Sequence, residues 1–337
     1  MQASSLRKPF AAASASRAVC LRVLGALVLF SSAAPARAAN ITSYSVDGGG
    51  MQRQYLLASP LATPPGPRPL ILLLHGHLGT AANALGNGRV PSPLSAWLNI
   101  VDREDVLVAA LQGLKGADNR TGWHDCRLDA SGNPRADDVG FAERVVAQLV
   151  QAGRADPKRI YVMGMSNGGM MAYRLALQMH PAPAAIAAVS SSMARTSACA
   201  SAAAKVSVLL INGTADPIVP YAGGQVGLFG RSTGTVIGAE ATRDFWLRVN
   251  GLTNTQPTTS SIPRADGADS TSAVRTVYGP NKGPQVEMIS IQGGGHVEPS
   301  RRFHYGWLYH RLVGEQNGAF ESAEEAWSFF KDKLANP

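Results

Sequence analysis

Five short runs of this chain contain almost nothing but apolar residues: "PLILLLHG" (69–76), "DVLVAAL" (105–111), "RIYVMG" (159–164), "AAIAAVS" (184–190) and "VSVLLING" (206–213). A strand with one wet face alternates apolar and polar residues. A continuous run marks a strand covered on both faces, as in a parallel sheet wrapped by helices. Stretches of helical periodicity lie between the runs. Residues 137–152 space Phe141, Val145 and Leu149 at helical intervals. Residues 167–180 and 239–251 read the same way, the latter stopped by Gly251. "ITSYSVDGGGMQRQYLLASP" (41–60) alternates around an Asp-Gly turn and predicts a hairpin. "QVEMISIQGG" (285–294) predicts a last strand, and 322–334 a closing helix with Ser322 and Glu325 as a capping box. Strands alternating with helices give a mostly parallel sheet of about eight strands, helices on both faces and an antiparallel start. The pattern fits an α/β-hydrolase-type sheet, in which ligands meet the carboxyl ends of the strands.

The first 38 residues stand apart. They hold Arg7, Lys8, Arg17, Arg22 and Arg37, no acidic residue, a short apolar stretch from Val23 to Phe30, and Ala36 and Ala38 around Arg37. These are the parts of a secretory signal peptide, leaving 39–337 as a single catalytic domain. The apolar stretch is too short to span a bilayer. The formal charge of +8 loses five positive charges with this segment and falls to +3. No basic cluster interleaved with aromatics then argues for nucleic acid, and no membrane partner is expected after cleavage. Of three cysteines, Cys20 leaves with the segment. Cys126 and Cys199 remain, an even pair in an oxidising compartment, and are expected to form a disulfide.

Chemistry is expected at "GMSNG" (164–168), a G-x-S-x-G motif between an apolar run and a helical pattern. In that setting the motif reads as a nucleophile elbow presenting Ser166. The serine needs a base and the base an orienting acid, in the chain order Ser, acid, His. His296 follows the last predicted strand in "GGGHVEPS", and Asp216 follows the strand before it in "LLINGTADPIVPY". Glu240 and Asp244 sit on a helix, and Glu298 is too close to His296 to face its far nitrogen. The other histidines have plainer readings: His180 at a helix end, His304 and His310 in packing. Oxyanion donors are expected from the backbone N–H groups of Asn167 and of His77 in "HGHLG". His75 and His77 as an H-x-H metal pair is a weak reading, and no metal or cofactor is expected.

With these residues in view, the chain resembles the poly(3-hydroxybutyrate) depolymerase and feruloyl esterase-type family of secreted α/β-hydrolases. The matching stretches are "LLLHGHLG", "GWHDC", "DDVGFAERVV", "DPKRIYVMGMSNGGMMAYRLA", "INGTADPIVPY" and "GGGH". The resemblance implies a triad of Ser166, Asp216 and His296, with Trp123 near the substrate cleft and Tyr221 as a further substrate contact. Many members carry a Trp-Pro pair after the histidine, where this chain has Val297 and Glu298. Members acting on solid polymer usually add a polymer-binding domain. None is expected here, which favours soluble esters or short oligomers. The segment 221–238, with Val226, Leu228 and Phe229, reads either as a lip over the site or as a surface loop. The expected activity is ester hydrolysis through an acyl-enzyme. The alternatives are a prolyl-oligopeptidase-like peptidase and a non-catalytic binding protein on the same scaffold.

Overall fold

The structure is a computed structural model and describes residues 39–47, 49–62, 66–88, 92–199, 204–227, 232–263 and 270–335. The leader expected over 1–38 lies outside these residues, as do Leu228 and Phe229 of the expected lip.

The main sheet has ten strands: β1 (Asn40–Asp47), β2 (Gln52–Ser59), β3 (Arg68–Leu74), β4 (Leu107–Leu111), β5 (Ala155–Met165), β6 (Ala185–Val189), β7 (Ser207–Gly213), β8 (Thr258–Ile262), β9 (Ser272–Tyr278) and β10 (Val286–Gln292). Their order across the sheet is 1-2-4-3-5-6-7-10-9-8. β1 and β2 form the antiparallel hairpin, and β2 meets β4 antiparallel. From β4 through β3, β5, β6 and β7 to β10 every pairing is parallel. This is the α/β-hydrolase fold, with two strands more than the eight the sequence suggests. The extra pair, β8 and β9, is antiparallel and forms the far edge. In β8, "TTSSI", four of five residues are exposed, so no apolar run advertises it.

Alternation along the buried strands divides the core in two. Ile71 and Leu73 of β3 pack on one side with Tyr161, Trp97 and Phe330. Leu70, Leu72 and Leu74 face the other, with Phe141, Leu175 and Trp246. Full burial of each such side chain contributes about 1.5–3 kcal/mol, so the paired layers fix the register strand by strand. The covering helices are α1 (Trp97–Arg103), α2 (Asp138–Gln151), α3 (Asn167–Gln178), α4 (Ala239–Asn250), α5 (Trp307–Val313) and α6 (Ser322–Phe330). Asp137 caps α2 by accepting from the Gly140 N–H at 2.9 Å, and Gly251 ends α4 in the left-handed conformation at φ 71°.

The expected capping box on α6 does not form. The N-cap residue is Glu321, whose carboxylate accepts instead from Ser300 Oγ and the Arg301 N–H, both at 2.8 Å. Glu325 turns to Arg275. A stronger cationic partner took the carboxylate away from the helix end. His304 is exposed rather than packed, and the imidazole of His310 is half-buried.

Candidate active site

Ser166 joins β5 to α3 at φ 55° and ψ −122°, a conformation that costs of order 1–3 kcal/mol and persists only where neighbours enforce it. The glycines around it are required by close approach. A Cβ on Gly164 would lie 2.2 Å from the Gly168 carbonyl oxygen, and one on Gly168 would lie 2.4 Å from that of Leu74. The elbow therefore packs backbone on backbone and leaves the serine hydroxyl standing at the carboxyl end of the sheet.

β7 and β10 are parallel neighbours, so the loops that follow them emerge side by side. One carries Asp216 and the other His296. His296 Nδ1 lies 2.8 Å from Asp216 Oδ2, and His296 Nε2 lies 2.9 Å from Ser166 Oγ. The other Asp216 oxygen accepts the backbone N–H groups of Ile218 and Val219, both at 2.8 Å. That fixes the carboxylate and directs its second oxygen at the imidazole, so Nδ1 donates and Nε2 accepts from the serine. The His296 N–H donates to the Val313 carbonyl at 2.6 Å, and a Cβ on Gly295 would strike that same oxygen at 2.1 Å. The glycines before His296 thus allow contact with α5 rather than mere mobility. Glu298 takes neither ring nitrogen of His296, which are engaged by Asp216 and Ser166. It is buried and accepts from Ser92 Oγ at 3.2 Å, and burial raises its pKa above the usual carboxylate range.

Among the described residues, neither the His77 nor the Asn167 backbone N–H has a hydrogen-bond partner. Asn167 opens α3, and the His77 loop follows β3, the neighbour of β5. Both residues line the same cleft as Ser166. The His77 side chain turns away to Asp118, 2.9 Å from Nε2. His75 is a satisfied core residue. Its Nδ1 meets the Gly76 carbonyl at 2.8 Å and its Nε2 accepts the Gly113 N–H at 3.0 Å. Burial lowers its pKa to about 4, so it is neutral. With both ring nitrogens engaged, it has none left for a metal.

The segment "GWHDCR" (122–127) carries more of the site than its sequence signals. Trp123 does not line the cleft: it is 1% exposed. Its indole N–H donates to the His75 carbonyl at 2.8 Å, and its backbone N–H to Asn167 Oδ1 at 2.7 Å. It therefore braces the His77 loop and the start of α3 against each other. Asn167 Nδ2 donates to Asp125 Oδ2 at 2.7 Å. Asp125 is gripped by Arg127 through Nε and Nη2, and Arg127 Nη1 donates to the Thr233 carbonyl at 2.7 Å. Asp125, Arg127 and Asn167 are all buried. Cys126 between them is bonded to Cys199, 73 residues away. Only the tryptophan and cysteine of "GWHDCR" drew attention in the sequence. An aspartate and an arginine two residues apart read as a solvated loop unless burial is known. Tyr221 is also displaced from its expected place. It packs against the core, and its hydroxyl shares a 2.9 Å hydrogen bond with Ser290 Oγ instead of facing substrate.

The cleft above Ser166 measures about 500 Å³. Met165, Met170, Ile218 and Val226 give it apolar walls, Tyr309, Leu312 and Val313 close one side, and Arg120 and Arg127 lie along another. The lip borders it through Val226, Gly227 and Thr233, and is held where Asp129 accepts from the Thr235 N–H at 3.0 Å. Val297 is buried and, like Glu298, does not line the cleft.

Comparison with known proteins agrees with this architecture. A phospholipase/carboxylesterase family model matches residues 119–227, a stretch that includes Ser166 and Asp216. NocK of Nocardia uniformis subsp. tsuyamanensis, assigned to the esterases by name, is 32% identical over 305 residues, covering 88% of this chain and 84% of NocK. Feruloyl esterase B of Piromyces equi is 25% identical over 244 residues, 71% of this chain but only 41% of that longer protein. The acetyl xylan esterase of Aspergillus awamori shares the fold with a TM-score of 0.51 at 14% identity, over 80% of this chain and 98% of that one. Sequence, fold and relatives agree: this chain belongs to the esterase-type family of α/β-hydrolases.

Proposed function

We propose that this chain is a secreted serine carboxylesterase, with Ser166 as nucleophile, His296 as general base and Asp216 as the acid that orients it. The observation that carries the reading is the continuous hydrogen-bonded relay from Asp216 through His296 to Ser166, opening on a cleft beside two unpaired N–H groups. In the first half-reaction Ser166 Oγ bonds to the ester carbonyl carbon and His296 Nε2 takes its proton. The N–H groups of His77 and Asn167 hold the oxyanion, commonly the largest catalytic contribution. The alcohol leaves with the proton from Nε2. Water then attacks the acyl-enzyme with the same base. These steps require no cofactor.

The walls are mainly apolar and the volume suits one medium-sized acyl or aryl group. We assign the substrates to esters of hydroxyalkanoate oligomers or of aryl, feruloyl-type acids. Export is supported by the composition of residues 1–38 and by the Cys126–Cys199 bond. Amino-terminal sequencing of exported protein should begin at Ala39.

The activity test is hydrolysis of p-nitrophenyl butyrate by wild type and Ser166→Ala. Turnover by the first alone supports the reading and opens a panel of feruloyl, acetyl and hydroxybutyryl esters. Equal rates, or a folded but inert wild type, would overturn it.

A further inference from the structure

The catalytic reading leaves one surface unexplained. Large apolar side chains are normally exposed singly. Here Trp307 is 73% exposed, Leu308 61%, Leu312 42% and Tyr309 38%, all on α5. Leu78, 62% exposed, shares the cleft wall with Tyr309 and Leu312. The patch is continuous with the mouth of the cleft.

The same segment is positively charged. Arg301, Arg302 and Arg311 flank the apolar residues, and no acidic residue occurs between Pro299 and Gly314. All three are exposed, Arg302 and Arg311 with no side-chain bond among the described residues, Arg301 donating its Nε to the Ala319 carbonyl at 2.6 Å. The base of the segment is firmly held. Gln316 Nε2 donates to the carbonyls of Glu298 and Phe303 at 2.8 and 3.0 Å, and Tyr305 stacks on Tyr309 with ring centroids 4.2 Å apart. The His296 N–H bonds its last residue, Val313. The exposed side chains are therefore displayed on a fixed support tied to the catalytic loop.

We infer that Trp307, Leu308 and the adjoining arginines form a docking surface for a negatively charged lipid surface, lying at the mouth of the ester cleft. Apolar side chains enter the interface while arginines meet acidic headgroups, the arrangement of peripheral proteins that lie on a bilayer without crossing it. Among the described residues no helix is long and apolar enough to cross one. The inference departs from the sequence expectation of no membrane partner. Net charge, +3 once the leader is subtracted, hides a local cluster.

Trp307 supplies its own reporter. The other tryptophans, Trp97, Trp123, Trp246 and Trp327, are all buried. The full chain is mixed with vesicles of phosphatidylglycerol or of phosphatidylcholine, and tryptophan emission and iodide quenching are followed. The expected result is a blue shift and loss of quenching with phosphatidylglycerol alone, reversed near 1 M salt, where the Debye length falls to about 3 Å. Arg302→Gln with Arg311→Gln should raise the lipid concentration at half-shift roughly 30-fold, at the ordinary contribution of an arginine near such a surface. Leu308→Ser should raise it roughly tenfold. All variants should hydrolyse p-nitrophenyl butyrate like wild type, which also shows that they fold. Three results would overturn the inference: emission unchanged by phosphatidylglycerol, an equal shift with phosphatidylcholine, or Trp307 shielded from iodide before lipid is added, as in self-association.

Discussion

The floor of the cleft and its α5 rim are built on opposite plans. On the floor, Asp216, Asn167 and Asp125 are buried and bonded. Asp216 accepts three hydrogen bonds, Asn167 is held through both ends of its amide, and Asp125 is clasped by Arg127. On the rim the support is fixed, but Trp307 and Leu308 project outward. The difference assigns separate work to the two regions. In the proposed function the floor selects which bond breaks, because charge must be stabilised to within fractions of an ångström. In the inference drawn above, the rim selects what approaches, a matter of area and charge sign.

The sharpest way to break the floor is His296→Ala. Activity on p-nitrophenyl butyrate should fall roughly 10⁴-fold or more, because the relay acts as a unit. The thermal unfolding temperature should fall but the fold should survive, since Asp216 loses one buried partner and keeps the N–H groups of Ile218 and Val219. Loss of activity together with loss of fold would show that the floor is as much scaffold as chemistry.

Asp125→Asn tests the brace beneath the oxyanion donors. The expected outcome is a kcat loss of roughly 100-fold with KM nearly unchanged. A stability loss of about 3–5 kcal/mol should accompany it, from Arg127 left buried without its partner. A raised KM with kcat intact would instead make Asp125 a binding residue.

The floor also sets a pH limit. His75 is buried and neutral, with its pKa lowered to about 4. The unfolded chain takes up this proton below about 6.5, so the contribution is complete above that pH and lost as pH falls toward 4. About 3 kcal/mol should disappear over the window. Urea midpoints of wild type and His75→Gln across pH 4–7 would check it. Parallel curves would remove His75 as the cause.

The smallest effect belongs to the rim where it meets the cleft. Tyr309→Ala should raise KM for long-chain p-nitrophenyl esters by about threefold to tenfold and leave p-nitrophenyl acetate unchanged. Equal effects on both esters would place Tyr309 on the floor.

The same contrast explains what could be read beforehand. β3 through β7 are legible because strands covered on both faces write continuous apolar runs. The juxtaposition of Ser166, Asp216 and His296 is legible because each follows a predicted strand, a continuous apolar run before Ser166 and Asp216 and the mixed "QVEMISIQGG" before His296. β8 and β9 were missed because an exposed edge strand such as "TTSSI" resembles any polar linker. Asp125 and Arg127 were missed because a buried ion pair and a solvated one look alike in sequence. Trp123 was expected at the substrate, but its indole is enclosed and bonds the His75 carbonyl. Ser322 and Glu325 have the spacing of a capping box, yet Glu325 had a closer cation in Arg275. The rim's exposure has no local signature, because aromatic and aliphatic residues at helical spacing usually mark a core.

The most direct measurement is the mass of the protein during turnover of p-nitrophenyl butyrate, followed by peptide mapping after acid quench. The account predicts one butyryl group per chain, carried on Ser166. Burst release of nitrophenol with the acyl group on another residue, or steady turnover by Ser166→Ala, would contradict it.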